Sequence, residues 1–195
     1  MRILLIDNET RSLVNIHKAL IEHDVHTIRF EEFDFGSTII DKTSDLVILS
    51  GGGQYSVIEN ELRFAKEIEF IHTSPLPILG ICLGSELIAH TFGATLERLV
   101  RKQTGPRALE ILKPTDSLFA DNPPLQVYES HRWAITSLPP DLIGLARSDS
   151  GFEIIRHTSL PRIGFQFHPE SSVHTSGGYT LLLNALEILS KQKSP

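Results

Sequence analysis

A single cysteine, Cys82, lies in the string Gly80-Ile81-Cys82-Leu83-Gly84, and far downstream stands Phe167-His168-Pro169-Glu170. A thiol, an imidazole and a carboxylate are the parts of a nucleophilic acyl-transfer site, with histidine moving the proton and the acid orienting the ring. An apolar run, Leu76-Pro77-Ile78-Leu79, precedes the cysteine string, and a helix over 85–92 follows it. A nucleophile on a sharp strand-to-helix turn needs small neighbours on either side, because the backbone passes too close for side chains. At the helix start, unpaired N–H groups and the aligned peptide dipoles favour a thiolate. An unperturbed thiol, with a pKa of about 8.5, is only a few per cent ionised at neutral pH, so this placement and a nearby histidine raise the reactive fraction. A lone cysteine is otherwise most often a small buried hydrophobe; the flanking glycines and the distant histidine reverse that expectation.

His168 and Glu170, at i and i+2 after a strand, are expected on the same side, with Glu170 fixing the tautomer and the other nitrogen facing Cys82. Ser50-Gly51-Gly52-Gly53 follows another apolar run. At the edge where parallel strands end, Gly52 brings a bare backbone N–H toward the sulfur, and Gly52 with Leu83 forms the expected pair of oxyanion donors. The glycine run fits neither the Walker nor the dinucleotide pattern. His23 and His26 lack a companion cluster and are expected to be exposed loop histidines, so no metal is expected. Val100-Arg101-Lys102 reads as a solvated face.

These groups need a scaffold. Apolar runs at 2–6, 25–30, 45–49 and 77–81 alternate with helical patterns. The first of these has Leu13, Ile16, Leu20 and Ile21 at helical spacing after a Thr10 cap. The next spans 58–71, with Leu62, Ala65, Ile68 and Ile71 on one face. This alternation predicts an α/β fold with a mostly parallel central sheet flanked by helices. After Gly93, short strands are expected at 108–112, 125–129, 143–146, 152–157 and 162–167, separated by Pro- and Gly-bearing turns, as a mixed or antiparallel extension. A closing helix is expected over 180–189. Residues 1–190 are expected to form one domain and 191–195 a tail.

The 195 residues carry a net charge of −6, with 41% hydrophobic and 22% charged residues, which argues against a nucleic-acid-binding surface. No apolar stretch approaches a membrane span of about 20 residues. The N-terminus reaches Asp7 too soon for a signal peptide. One cysteine excludes an intramolecular disulfide, so a cytoplasmic location is expected.

The set Ser-Gly-Gly, Gly-Ile-Cys-Leu-Gly and Phe-His-Pro-Glu resembles the class I glutamine amidotransferases over nearly the whole chain. The resemblance implies their flavodoxin-like fold, Cys82 as nucleophile, His168 as acid/base, Glu170 as its orienter, and Gly52 and Leu83 at the oxyanion positions. It implies L-glutamine as substrate, ammonia passed to a partner synthase, and no cofactor. Tyr128-Glu129-Ser130-His131 resembles the Trp-Glu-Ser-His segment of GMP synthase glutaminase units, and His174-Thr175 points the same way. Ile6-Asp7-Asn8 with Asn15, and Glu170-Ser171, lean toward the glutaminase units of anthranilate and aminodeoxychorismate synthases. The resemblance places Gly53, Glu86, Ser130 and His131 among the substrate contacts. Two residues depart from the family. Glu86 replaces a glutamine that helps hold the substrate, and its carboxylate offers acceptors but no amide donor. Gly53 stands where many relatives have proline. Beside a glutaminase, these departures leave two alternatives: a hydrolase of another γ-glutamyl compound, and a catalytically weak regulatory homologue.

Overall fold

The structure, a computed structural model, describes residues 1–34, 44–120, 126–172 and 177–192. Leu125, His174, Thr175 and the end of the tail lie outside the described residues.

Strands β1 (Arg2–Asp7), β2 (Asp24–Arg29), β3 (Leu46–Leu49) and β4 (Ile78–Ile81) are joined through helices α1 (Leu13–Ala19) and α2 (Ala65–Thr73). Helix α3 (Leu83–Thr91) leaves β4 directly. Then come β5 (Thr95–Ala108), β6 (Glu110–Ile111), β7 (Gln126–Ser137), β8 (Leu142–Arg147), β9 (Phe152–His157), β10 (Arg162–Phe165) and α4 (Gly177–Ser190). One sheet runs β2-β1-β3-β4-β10-β9-β7-β5, with β8 pairing β9 and β6. Pairing is parallel from β2 through β10 and antiparallel beyond it. The expected α/β sheet with its extension is therefore present.

Alternation explains why both faces are covered. On β1, Ile3 and Leu5 join one core with Ile16 of α1 and Leu181, Ala185 and Leu189 of α4. Leu4 and Ile6 join the other with Phe70 and Ile71 of α2 and Leu87 of α3. Continuous apolar strands of this kind belong to parallel sheets buried on both sides.

The seam between the two halves is β10. Arg162 is fully buried there. Its guanidinium donates to the carbonyls of Ile71 (3.0 Å), Leu76 (2.7 Å) and Ser74. It thereby ties the end of α2 and the approach to β4 onto the sheet.

Several local expectations are corrected. Helix α1 ends at Ala19, leaving Ile21 75% exposed. Ser12, not Thr10, takes the N-cap place; the Thr10 hydroxyl instead accepts from the Ser12 N–H (3.2 Å). Residues 58–64 do not join α2, and Leu62 is 94% exposed. There, Glu59 adopts φ 70° and the Asn60 amide donates to the carbonyls of Ser56 and Ile58, a side-chain turn that competes with helix. The expected strand at 108–112 is split between the ends of β5 and β6, and β7 continues well past residue 129. β10 stops at Phe165 rather than 167, and His26 lies on the edge strand β2 rather than in a loop.

Candidate active site

Cys82 sits between β4 and α3 with φ 49° and ψ −104°, a backbone state that L-residues rarely adopt. Such a state costs on the order of 1–3 kcal/mol and persists only where its surroundings enforce it. Here the Cys82 N–H donates to the Phe165 carbonyl (2.7 Å), and the Cys82 carbonyl accepts from the Glu86 N–H (2.9 Å). Gly80 and Gly84 lie against each other, and a Cβ on Gly84 would strike the Leu49 carbonyl. The glycines are thus required by close backbone approach on both sides of the sulfur.

The histidine arrives from the end of β10. Phe165 and Phe167 stack (4.9 Å between centroids), and the His168 N–H donates to the Tyr128 carbonyl (2.8 Å). A 3-10 turn, Pro169–Ser172, carries Glu170 inward. Its Oε1 lies 2.8 Å from His168 Nδ1. The same-side expectation is met, but by a turn rather than by strand alternation. The ring lies beside Cys82: a single point, a Cβ built on Gly51, is 3.0 Å from His168 Cε1 and 3.5 Å from Cys82 Cβ, and each group's charge acts on the other.

Burial pushes the Cys82 thiol up, aided by the charges of Glu86 and Glu170 and opposed by His168. Burial also disfavours a charged His168, but the attraction of Cys82, joined by the hydrogen bond and charge of Glu170, holds the ring well above the usual imidazole range. Each group's titration therefore depends on the charge of the other.

The glycine loop after β3 closes over this pair. A Cβ on Gly51 would fall 3.0 Å from His168 Cε1 and 3.5 Å from Cys82 Cβ, so Gly51 makes the closest approach. A Cβ on Gly52 would collide with the Leu83 side chain and sit 3.0 Å from the Asn8 carbonyl. Gly52 and Leu83 are thus neighbours beside the nucleophile. Leu83 is the first residue of α3, where N–H groups lack intrahelical acceptors.

Two supports escape the sequence reading. Asn8 donates through its backbone to Ser50 Oγ (2.9 Å) and through its amide to Glu67 Oε1 (3.1 Å), so the loop hangs from a buried carboxyl. Burial pushes Glu67 up to about 8. Gln166 Nε2 donates to Glu86 Oε1 (2.9 Å) and lies 4.0 Å from Cys82 Sγ. A polar Gln166 between Phe165 and Phe167 was the available signal. Burial, only partly offset by Gln166, pushes Glu86 up to about 7.

The site opens into a cleft of about 890 Å³ whose wall includes Gly53, Glu86, Ser130 and His131. Ser85 is not in that wall; its buried hydroxyl faces Gly164 of β10. Lys102 does line the cleft, as do Arg98 and Arg132, so the basic run is not only a solvated face. Both ring nitrogens of His131 face protein groups, Nδ1 the Trp133 carbonyl (2.7 Å) and Nε2 Glu129 and Glu153. Among the described residues, Glu129, His131 and Glu153 are the group with metal-ligand spacing, and neither His23 nor His26 belongs to it. No helix among those residues is long and apolar enough to cross a membrane.

The family model described as "Glutamine amidotransferase class-I" matches residues 4–188. A glutamine-hydrolyzing GMP synthase subunit from Methanococcoides burtonii is 34% identical over 191 residues, 96% of each chain. An aminodeoxychorismate synthase from Streptomyces griseus is 32% identical over 94% of this chain and 25% of its own length. The solved structure of a glutamine amidotransferase from Thermotoga maritima, 19% identical, shares the fold with a TM-score of 0.76 over 98% of both chains.

Proposed function

The chain belongs to the class-I glutamine amidotransferases, and we propose that it hydrolyses the side-chain amide of L-glutamine through a thioester on Cys82. The observation that carries this is Cys82 at a strained elbow beside His168, whose Nδ1 is hydrogen-bonded to Glu170. On this reading, Cys82 Sγ attacks the amide carbon while the backbone N–H groups of Gly52 and Leu83 receive the developing oxyanion, each such donor lowering the barrier by roughly 3 kcal/mol. His168 gives its proton to the leaving nitrogen, the C–N bond breaks and ammonia departs. Water then attacks the thioester as His168 takes its proton, the C–S bond breaks, and glutamate leaves. Glu170 keeps Nδ1 protonated and the ring oriented throughout. No cofactor takes part.

Gly53, Glu86, Ser130 and His131 form the substrate wall in this proposal. Glu86, as an acceptor, suits an α-ammonium group, and Gln166 orients it. The ammonia passes to a synthase partner, of the GMP synthase type by the chain's GMP synthase relatives and by Tyr128-Glu129-Ser130-His131. The reading places residues 1–190 in one amidotransferase domain with 191–195 as a tail, working in the cytoplasm.

A second reading has its own observation. The cleft is much larger than glutamine needs, and Glu86 replaces an amide, which favours a larger γ-glutamyl compound.

The test is Cys82→Ala, assayed for ammonia and glutamate release alone and with the cognate synthase. Loss of at least roughly a thousandfold is expected; unchanged turnover refutes the proposal. A panel of γ-glutamyl amides run against L-glutamine separates the two readings.

A further inference from the structure

Beside the cleft, the antiparallel part of the sheet buries a second group of titratable side chains. Glu129 and His131, two apart on β7, face Glu153 from β9, and all three are at most 3% exposed. Their ligand-type atoms lie within 4.8 Å of one another.

The tautomer of His131 is fixed by its neighbour. A carbonyl only accepts, so Nδ1, 2.7 Å from the Trp133 carbonyl, carries the hydrogen. That leaves Nε2 aimed between Glu129 Oε2 (3.7 Å) and Glu153 Oε1 (3.9 Å), beyond hydrogen-bond reach of either. Nε2, Glu129 Oε1 and Glu153 Oε2 are all buried without a hydrogen-bond partner. A buried polar atom left unpaired is costly, and Nε2 is such an atom, aimed between two carboxylates each of which also keeps one oxygen unpaired.

We propose that Glu129, His131 and Glu153 bind a divalent first-row cation of the manganese or zinc class. A cation about 2.1 Å from each ligand fits the observed N–O separations of 3.7 and 3.9 Å at ligand–metal–ligand angles of roughly 125–135°. A metal-bound histidine characteristically donates its other N–H to a carbonyl, as His131 does to Trp133. The outer contacts are also in place. Ser148 Oγ donates to Glu153 Oε1 (2.7 Å), Ser150 Oγ reaches the same oxygen (3.4 Å), and Arg107 Nε lies 3.5 Å from Glu129 Oε2. His131 forms part of the cleft wall, so the group lies directly behind it. A bound ion would clamp β7 to β9 next to Tyr128, whose carbonyl holds the His168 N–H. The rival occupant of the same space is a proton, making His131 an imidazolium between two carboxylates.

The experiment uses the untagged full chain, stripped with chelator and titrated with Mn²⁺, a hard ion with little affinity for the Cys82 thiol. Expected are one Mn²⁺ per chain, a single imidazole nitrogen coupling in pulsed EPR that changes on ¹⁵N-histidine labelling, and a Tm raised by about 5–10 °C at a hundredfold excess over Kd. The double variant Glu129→Gln/Glu153→Gln should weaken binding at least tenfold, while Cys82→Ser should leave it unchanged. Failure to bind stoichiometrically, binding without nitrogen coupling, or full affinity in a folded double variant would overturn the site and leave the imidazolium in its place. If the double variant does not fold, the nitrogen coupling in the native chain decides. Neither result depends on glutamine turnover, so the metal site and the proposed reaction stand or fall separately.

Discussion

The parallel half of the sheet and its antiparallel extension solve different problems. In the parallel half, β1, β3, β4 and β10 are buried and largely apolar, and the chain ends at their carboxyl edge hold Cys82 and Gly51 to Gly53. The extension buries Glu129, Glu153 and His131 on its strands beside apolar residues, and its outer strand, β5, is mostly exposed. The first half fixes the nucleophile by backbone contact; the second builds a polar wall around the cleft. The contrast predicts that backbone changes hurt the first most and that charge changes on the exposed rim of the second cost little stability.

The largest expected difference is between two glycines. At Gly84, alanine would drive its Cβ into the Leu49 carbonyl, backbone against backbone with nothing flexible to yield. Gly105, on β5, has φ 112° but open space around it, so alanine there meets backbone strain alone. We expect Gly84→Ala to cost about 3 kcal/mol and lower Tm by roughly 6–12 °C, with loss of activity. Gly105→Ala should cost about 1 kcal/mol, or roughly 2–4 °C. Thermal melts of both variants check this; equal losses would erase the distinction between the halves.

The same contrast governs what could be read from the residues alone. Ile3 to Ile6, Leu46 to Leu49 and Ile78 to Ile81 announce themselves because burial on both faces leaves no polar positions. The elbow was legible because its glycines answer a local steric demand. β5 was not, because an edge strand exposed along most of its length carries no apolar period. Leu62 misled because a helical spacing of apolar residues says nothing of Asn60 capturing carbonyls within the same stretch. Gly51, Glu67 and Gln166 act through neighbours distant in sequence, and only the folded chain shows which groups they meet. Glu129, His131 and Glu153 likewise show no ligand pattern along the sequence, since β7 and β9 supply them from separate segments.

A smaller effect separates a carboxyl under the parallel half from the rest. Folded, Glu67 is pushed up to about 8 from an ordinary 4.5. Between those values the native chain keeps a proton that the unfolded chain releases. Glu67 therefore stabilises the fold at low pH, and this contribution is lost as pH rises through about 8. Glu67→Gln keeps an amide of the same shape and carries no such proton. The drop in Tm between pH 5.5 and 8.5 should be smaller in Glu67→Gln than in the native chain by about 5 °C. An unchanged pH slope would mean that Glu67 ionises in the fold as freely as out of it, and would leave Asn8 without the neutral partner inferred beneath the glycine loop.

The smallest effect belongs to the exposed rim of the extension. Arg98 and Lys102 line the cleft from β5, Arg98 at the start of an irregularity in its pairing with β7 and Lys102 within it. Both are solvent-facing, so their field at Cys82 is weak and screened within a Debye length of about 8 Å at physiological salt. Alkylation of Cys82 reads that field directly, because iodoacetate is anionic and iodoacetamide neutral while both meet the same thiol. The double variant Arg98→Ser/Lys102→Ser should lower the iodoacetate-to-iodoacetamide rate ratio by about twofold at low salt, with the difference vanishing near 0.5 M salt. Thermal stability should stay within about 1–2 °C of the native chain, since surface changes away from packed or paired groups shift stability little. A ratio unmoved at low salt would show that the rim cations do not project into the site, and the approach of anionic groups to Cys82 would then rest on Arg132 and the start of α3.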